Sequence, residues 1–171
     1  MQKSIFNYIE GASLTLRFKA CDLDPDKVSS EIGEIISKMN ILTSQQKDEF
    51  VVATIEALLN ARDHGCFELN SKEKGKDLYS PNTYEDKRQK RMKDPKLGNR
   101  EVQVSINIDA NKISIQVKDP GHGIPKKLSH PKDLRPYGMG IKLMRKLADR
   151  LIIKQSPSRV ILVKYRRSNN E

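Results

Sequence analysis

Three separated stretches of this chain carry residue types suited to holding a nucleoside polyphosphate. They are Glu56-Ala-Leu-Leu-Asn60-Ala-Arg-Asp-His64-Gly65, Asp119-Pro-Gly121-His-Gly123-Ile124 and Arg135-Pro-Tyr-Gly138-Met139-Gly140-Ile141. Asn60 offers a neutral oxygen to a hard cation such as Mg²⁺, which usually keeps several of its waters. Glu56 lies one helical turn earlier, so on a helix both side chains project from the same face. There a carboxylate can sit beside a terminal phosphate and take a proton from an attacking hydroxyl or water. Asp119 can accept a hydrogen bond from an exocyclic amine, and Gly121 and Gly123 let the backbone approach a planar base. Gly138 and Gly140, at the start of a helix, can present bare amides to phosphate with the helix dipole behind them. The spacing is not that of a P-loop, because no Gly-Lys-Ser/Thr stands at the required place. Each piece alone is a weak signal. A Gly-x-Gly is more often a turn, and Glu56 with Asn60 also fits a solvated pair at the edge of an apolar stripe.

The elements that must position these residues can be read in order. Leu14, Leu16 and Phe18 alternate with polar neighbours and predict a first strand with one buried face. Asp24 as N-cap and Pro25 at the first helical position start a helix. Val28, Ile32, Ile35, Ile36 and Met39 form its apolar side, and Asn40 to Leu42 closes it. Thr43-Ser-Gln-Gln46 has the form of a capping box. It predicts a second helix from about Ser44 to about His64, with Phe50, Val51, Thr54, Leu58 and Ala61 as the buried stripe. Residues 67–100 break the pattern and predict a long, charged connection, which in a compact domain marks function or disorder. Within it Tyr84 to Lys93 fits a short basic helix ended by Asp94-Pro95.

Two strands follow, Val102, Val104, Ile106 and Ile108 in one and Ile113, Ile115 and Val117 in the next. The turn chemistry of Asp109-Ala-Asn111-Lys112 makes them an antiparallel hairpin. The second strand runs straight into Asp119. Lys126 to Pro136 reads as a polar loop. Gly138-Met-Gly140 opens a helix with Ile141, Met144, Leu147 and Ala148 on its apolar side. Leu151 to Ile153 and Val160 to Val163 close the chain as two strands around Ser156-Pro157. This order predicts an α/β (α+β) two-layer sandwich, with helices on one face of a mixed, mostly antiparallel sheet.

With 171 residues, the chain is read as a single domain over 1–171 with a basic insertion at about 71–100. Net charge is +10, and residues 71–100 hold ten Lys/Arg against five Asp/Glu. Half the excess is therefore local, which points to one basic feature facing nucleic acid, an acidic protein surface or only solvent. No run approaches the roughly 18 apolar residues of a membrane span, and no apolar block follows Met1, so a cytoplasmic location is expected. Cys21 and Cys66 have the spacing of neither a zinc site nor a disulfide framework.

Taken together, the three stretches resemble the motifs of the GHKL (Bergerat-fold) ATPase superfamily, which includes gyrase and the histidine kinases. Glu-x-x-x-Asn looks like its N box, Asp-x-Gly-x-Gly its G1 box and Gly-x-Gly its G2 box. The length and the short β-α-α lead-in are most similar to the bacterial anti-sigma factor serine-protein kinases. Their usual N box, Glu-Ala-Leu-x-Asn-Ala-x-x-His-Gly, is closely matched by residues 56–65. Residues 84–102, with Tyr84, Arg88, Arg91, Asp94-Pro95, Arg100 and Val102, look like an insertion found in one branch of that family. The resemblance spans about residues 14–164.

The resemblance implies a histidine-kinase-like ATPase fold with ATP and Mg²⁺ as cofactors. It implies that Glu56 is the catalytic base, that Asn60 is the metal ligand and that Asp119 binds the adenine amine. Gly121 and Gly123 would shape the adenine pocket, and Gly138 and Gly140 would close a short lid, about Pro125 to Tyr137, onto phosphate. Arg135 lies where these kinases often carry an arginine, facing the γ-phosphate or a partner. His64, Ile124, Met139 and Ile141 enter the nucleotide site as neighbours within the same motifs. The implied function is that of a partner-switching kinase in transcription regulation. It would phosphorylate Ser/Thr of a STAS-domain anti-anti-sigma protein, bind a sigma factor and act as a homodimer. Two other readings remain: a non-catalytic nucleotide-binding adaptor of the same fold and, ranked last, a basic nucleic-acid-binding domain.

Overall fold

Alternation of β-branched residues builds the centre of the molecule. Val104 pairs with Val117, Ile106 with Ile115 and Ile108 with Ile113 across β2 (Glu101–Asp109) and β3 (Lys112–Lys118). Ile115 and Val117 in turn face Leu162 and Val160 of β5 (Ser158–Tyr165). All of these side chains are buried and lie on one face, as the period of two requires. The computed structural model of the chain describes residues 10–70, 83–123, 139–155 and 157–166. Among them the sheet has five strands in the order β1-β2-β3-β5-β4, with β1 spanning Gly11–Lys19 and β4 Arg150–Gln155. Every described pairing is antiparallel, so the mixed component anticipated for the sheet is not seen among these strands.

Helices cover one face of the sheet. In α1 (Pro25–Met39) the Asp24 carboxylate accepts from the amides of Asp26 and Lys27, and Asn40 ends the helix with φ +50. The capping box at the start of α2 (Ser44–Leu59) is formed: Gln46 N donates to Thr43 Oγ1 and Thr43 N to Gln46 Oε1. Phe50, Ala53, Thr54, Ala57 and Leu58 are buried along α2. Val51 is only half-buried and packs instead toward Gly33 of α1, where a Cβ would stand 2.8 Å from it. The last described helix, α5 (Met139–Leu147), buries Met144 and packs on α2. Lys164 ties these layers: its buried ammonium donates to Glu49 of α2 and to the Leu147 carbonyl, each at 2.7 Å.

Two details depart from expectation. The second helix does not continue as an α-helix to His64; from Asn60 to Cys66 it widens into a π-helical turn, with Phe67 N donating to Arg62 O. The wider turn places Arg62 and Asp63 inside as a buried pair and sets Gly65 against Asp119. The first strand exists, but as an edge strand; Leu14 is 42% exposed because nothing described covers the sheet's margin there. Within the connection after Cys66, α3 (Tyr84–Lys93) forms where it was anticipated, and a one-turn α4 (Pro95–Gly98) follows. Among the described residues no helix is long and apolar enough to cross a membrane.

Candidate functional site

Described residues from all three sequence stretches are in contact: Gly140 lies against Glu56, and Gly65 against Asp119 and Gly121. A helix of α2's length presents Glu56 and Asn60 on one face, and the N-terminus of α5 lies over them. A Cβ built on Gly140 would stand 2.5 Å from Oε2 of Glu56 and 3.7 Å from Nδ2 of Asn60. A side chain at 140 would therefore fill the space in front of the carboxylate. The π-helical turn begins at Asn60 itself, and such turns interrupt α-helices mainly where a side chain must be aimed. Met139, beside Gly140, is 59% exposed, whereas Ile141 packs against the core.

The second junction is built on Asp119, which leaves β3 at its C-terminal end. Its Oδ1 accepts from the Gly121 amide and its Oδ2 from the Ser158 hydroxyl, both at 2.8 Å. The Asp119 amide in turn donates to the Ser158 carbonyl. Burial raises the pKa of this carboxyl, and the hydrogen bonds from Ser158 and Gly121 oppose the shift without cancelling it. Each oxygen keeps lone-pair capacity, so an amine can still be recognised. Gly65 lies against the carboxylate: a Cβ there would fall on Oδ1. A Cβ on Gly121 would stand 2.7 Å from the Gly65 Cα. Gly123 has φ +78, and a Cβ there would lie 2.9 Å from the Gln155 Cα, so only glycine fits. The buried Cys66 thiol is pushed up to about 12, first by burial and then by the Asp119 charge.

His64 is half-buried, and its Nδ1–H donates to the Leu69 carbonyl over 2.6 Å. That bond fastens the segment after the π turn and commits one ring nitrogen to structure. Ile124, Arg135 and Gly138 lie outside the described residues, as does the expected lid from about Pro125 to Tyr137. Ser158 is a site residue that sequence reasoning missed, since a serine opening a terminal strand carries no motif. Gly65 was visible in the motif, but its steric role against Asp119 was not.

The donor chemistry fits a phosphate-bound Mg²⁺ better than a protein-caged metal. Among the described residues no cluster of three or more His, Cys, Asp and Glu can hold an ion. Asn60 supplies one neutral oxygen beside the Glu56 carboxylate, and Mg²⁺ bound through few protein ligands keeps waters and substrate oxygens.

Residues 88–164, just under half of the chain, match the model of a family described as the histidine kinase-like ATPase domain. The matched span contains Asp119, Gly121 and Gly140 but begins after Glu56 and Asn60. No curated protein matches the chain. The match and the five-stranded α+β fold together support an ATP-binding domain of the GHKL superfamily.

Proposed function

We propose that the chain is a serine/threonine kinase of the anti-sigma factor type. It would bind ATP and transfer its γ-phosphoryl to Ser or Thr of a STAS-domain anti-anti-sigma protein. It would hold a sigma factor when that antagonist is phosphorylated, and act in the cytoplasm as a homodimer. The observation that carries the reading is the stacking of Gly140 on Glu56 and Asn60, together with the packing of Gly65 on Asp119. The helix-and-turn segment that carries Glu56 and Asn60 thus also reaches, through Gly65, the Asp119 carboxylate at the end of β3.

In this reading Asp119, oriented by Ser158 and the Gly121 amide, accepts the adenine amine. Gly121 and Gly123 keep the backbone low enough for the ring. The amides at the start of α5 meet phosphate oxygens, favoured by the helix dipole. Asn60 would hold Mg²⁺, which supplies charge neutralisation at the phosphates. Glu56 takes the proton of the attacking hydroxyl as the new P–O bond forms and the bond to the ADP oxygen breaks. Most of the acceleration in such transfers comes from positioning and electrostatics, not from the base.

Calorimetry of ATP binding with and without Mg²⁺, on the wild type and on Asp119→Ala, tests the site. Mg²⁺-dependent binding that the substitution abolishes is expected. Radiolabelled ATP with candidate STAS proteins then tests the transfer. Intact nucleotide binding with no phosphorylated partner would leave the adaptor reading, and no ATP binding by the wild type would overturn both.

A further inference from the structure

The insertion helix α3 has no buried residue, yet its surroundings fasten it to the segment that carries Asn60 at two points. At its start the Tyr84 hydroxyl donates to Oδ2 of Asp63 over 3.3 Å. Asp63 is the buried partner of Arg62, Nε to Oδ1 at 2.8 Å, and Arg62 Nη1 also donates to the Leu23 carbonyl. The buried Arg62 Nη2 has no hydrogen-bond partner among the described residues, so each remaining contact to this cation counts for more. Beyond α4, Arg100 Nη1 donates to the Cys66 carbonyl at 2.9 Å and to Glu68 at 2.6 Å. Both ties therefore end between Arg62 and Glu68, in or just after the π turn that begins at Asn60. Glu68 sits at φ +54, an uncommon conformation for a residue with a Cβ, so the Arg100 contacts hold a bent backbone in place.

The outer side of the same element is cationic. Arg91, Lys93 and Lys96 are exposed and form no ion pair with another described residue, and Lys90 is exposed beside them. Asp94, set among them, is occupied in capping α4 by accepting from the Lys96 amide at 2.9 Å, while Arg91 adds to the positive field on Glu68 and Lys90 to that on Asp86. Arg88 differs: it turns back to Glu85 at 2.6 Å.

We propose that the outer side of α3 and α4 is a docking surface for an acidic protein, and that its occupancy is read at the nucleotide site through the Tyr84–Asp63 and Arg100–Cys66 ties. This coupling rests on the nucleotide-site reading above; the docking itself does not. Charge complementarity selects the partner. A second copy of this chain would bring another net +10 to a cationic patch. Nucleic acid fits less well. Glu85 and Asp86 share the exposed side of α3 and would repel phosphates, and Tyr84, its one aromatic, is turned inward to Asp63. An acidic protein surface meets such a mixed patch with paired charges, and salt weakens the contact.

The test uses the full chain and labelled decaglutamate, read by fluorescence anisotropy. The peptide is expected to bind the wild type and to lose about tenfold or more in affinity for R91E/K93E/K96E. Equal binding by that variant, or tighter binding of oligo(dT) of the same charge, would overturn the docking assignment. Saturating peptide is expected to shift the ATP dissociation constant severalfold, and ATP must shift peptide affinity by the same factor. Tyr84→Phe should keep peptide binding and diminish that shift. Hydrogen exchange at amides 60–68 reads the coupling without nucleotide: changed protection on adding peptide is expected, and unchanged protection would overturn the coupling. A chain that binds peptide and alters exchange at 60–68 but binds no ATP would refute the kinase reading, and with it the read-out at a nucleotide site, while the docking assignment and its link to residues 60–68 would stand.

Discussion

Asp119 joins two of the motif stretches, and its protonation has opposite consequences for folding and for binding. Its carboxyl is raised from the ordinary value by burial. A raised folded-state pKa means that the folded protein binds this proton more tightly than the unfolded chain does. The buried charge therefore subtracts from stability above the unfolded value, and that cost is relieved as pH falls through the folded value. Recognition of an amine runs the other way, because protonation removes an acceptor. Nucleotide affinity is expected to start falling at a pH above the usual aspartate range, while this group's contribution to stability improves. Titration calorimetry across acidic pH checks it; a flat affinity down to the ordinary aspartate value would refute the role. Asp119→Asn puts an NH₂ where an oxygen now accepts and should weaken ATP by about 10- to 100-fold, the scale of a lost charged hydrogen bond. Glu56 makes a different prediction. Glu56→Gln preserves its shape beside Gly140, so ATP binding should stay within about threefold while phosphotransfer falls by about 10² to 10⁴. Equal losses in both would mean that Glu56 positions nucleotide and is not the base.

The π turn is the element that makes the site, and it was the least legible part of the sequence. Helical periodicity carried α2 correctly through Leu59, and the capping box fixed its start, because both signals are local. What widens the helix at Asn60 is tertiary: Arg62 reaches the Leu23 carbonyl, Asp63 accepts from the Tyr84 hydroxyl, and Gly65 must meet the Asp119 carboxylate, all far along the chain. No window around residue 60 contains those partners. The same reasoning separates the correctly read hairpins, whose turn chemistry and alternation are local, from Lys164. It reads as an ordinary strand lysine and is buried because Glu49 and the Leu147 carbonyl receive its ammonium. Leu14 shows the converse: alternation foretold a strand, but not that the strand would lie at the edge. The test of the π-turn argument is Gly65→Ala. Its methyl would meet the Asp119 carboxylate, so the turn or the aspartate has to move. A stability loss of about 1–3 kcal/mol, the range for overpacking, should accompany weaker ATP binding. Denaturant unfolding with calorimetry on the same sample measures both. Unchanged ATP affinity would mean that the Gly65–Asp119 contact does not position the base-recognition turn.

At the scale of the whole molecule, site and core are separable, and that separation yields a further measurement. The buried face made by Val104, Ile106, Ile115, Val117 and Leu162 lies in the middle of the sheet, while Glu56, Asn60 and Gly140 meet where α5 starts over α2, and Asp119 meets Gly65 at the end of β3. Ligand occupying the site would bridge three segments far apart in the unfolded chain: α2 with its π turn, the end of β3 and the start of α5. Binding to the folded state alone stabilises it by about 2.7 kcal/mol at a ligand concentration of 100 times the dissociation constant. For a chain of this size each kcal/mol moves the melting midpoint by about 2–4 °C, so ATP with Mg²⁺ should raise it by about 5–10 °C. Asp119→Ala relieves a buried charge but leaves the Ser158 hydroxyl and the Gly121 amide without their acceptor, so the two effects oppose and its own midpoint should change little, yet ATP should no longer shift it. A core truncation, Ile115→Ala, should do the reverse. It should lower the midpoint, at a cost of about 2–5 kcal/mol, and leave the ATP-induced shift in place. Thermal unfolding of the three proteins with and without ATP and Mg²⁺ distinguishes the cases. An ATP shift that survives in Asp119→Ala would place nucleotide elsewhere on the molecule, and one lost in Ile115→Ala would mean that the site depends on the packing of the sheet beneath it.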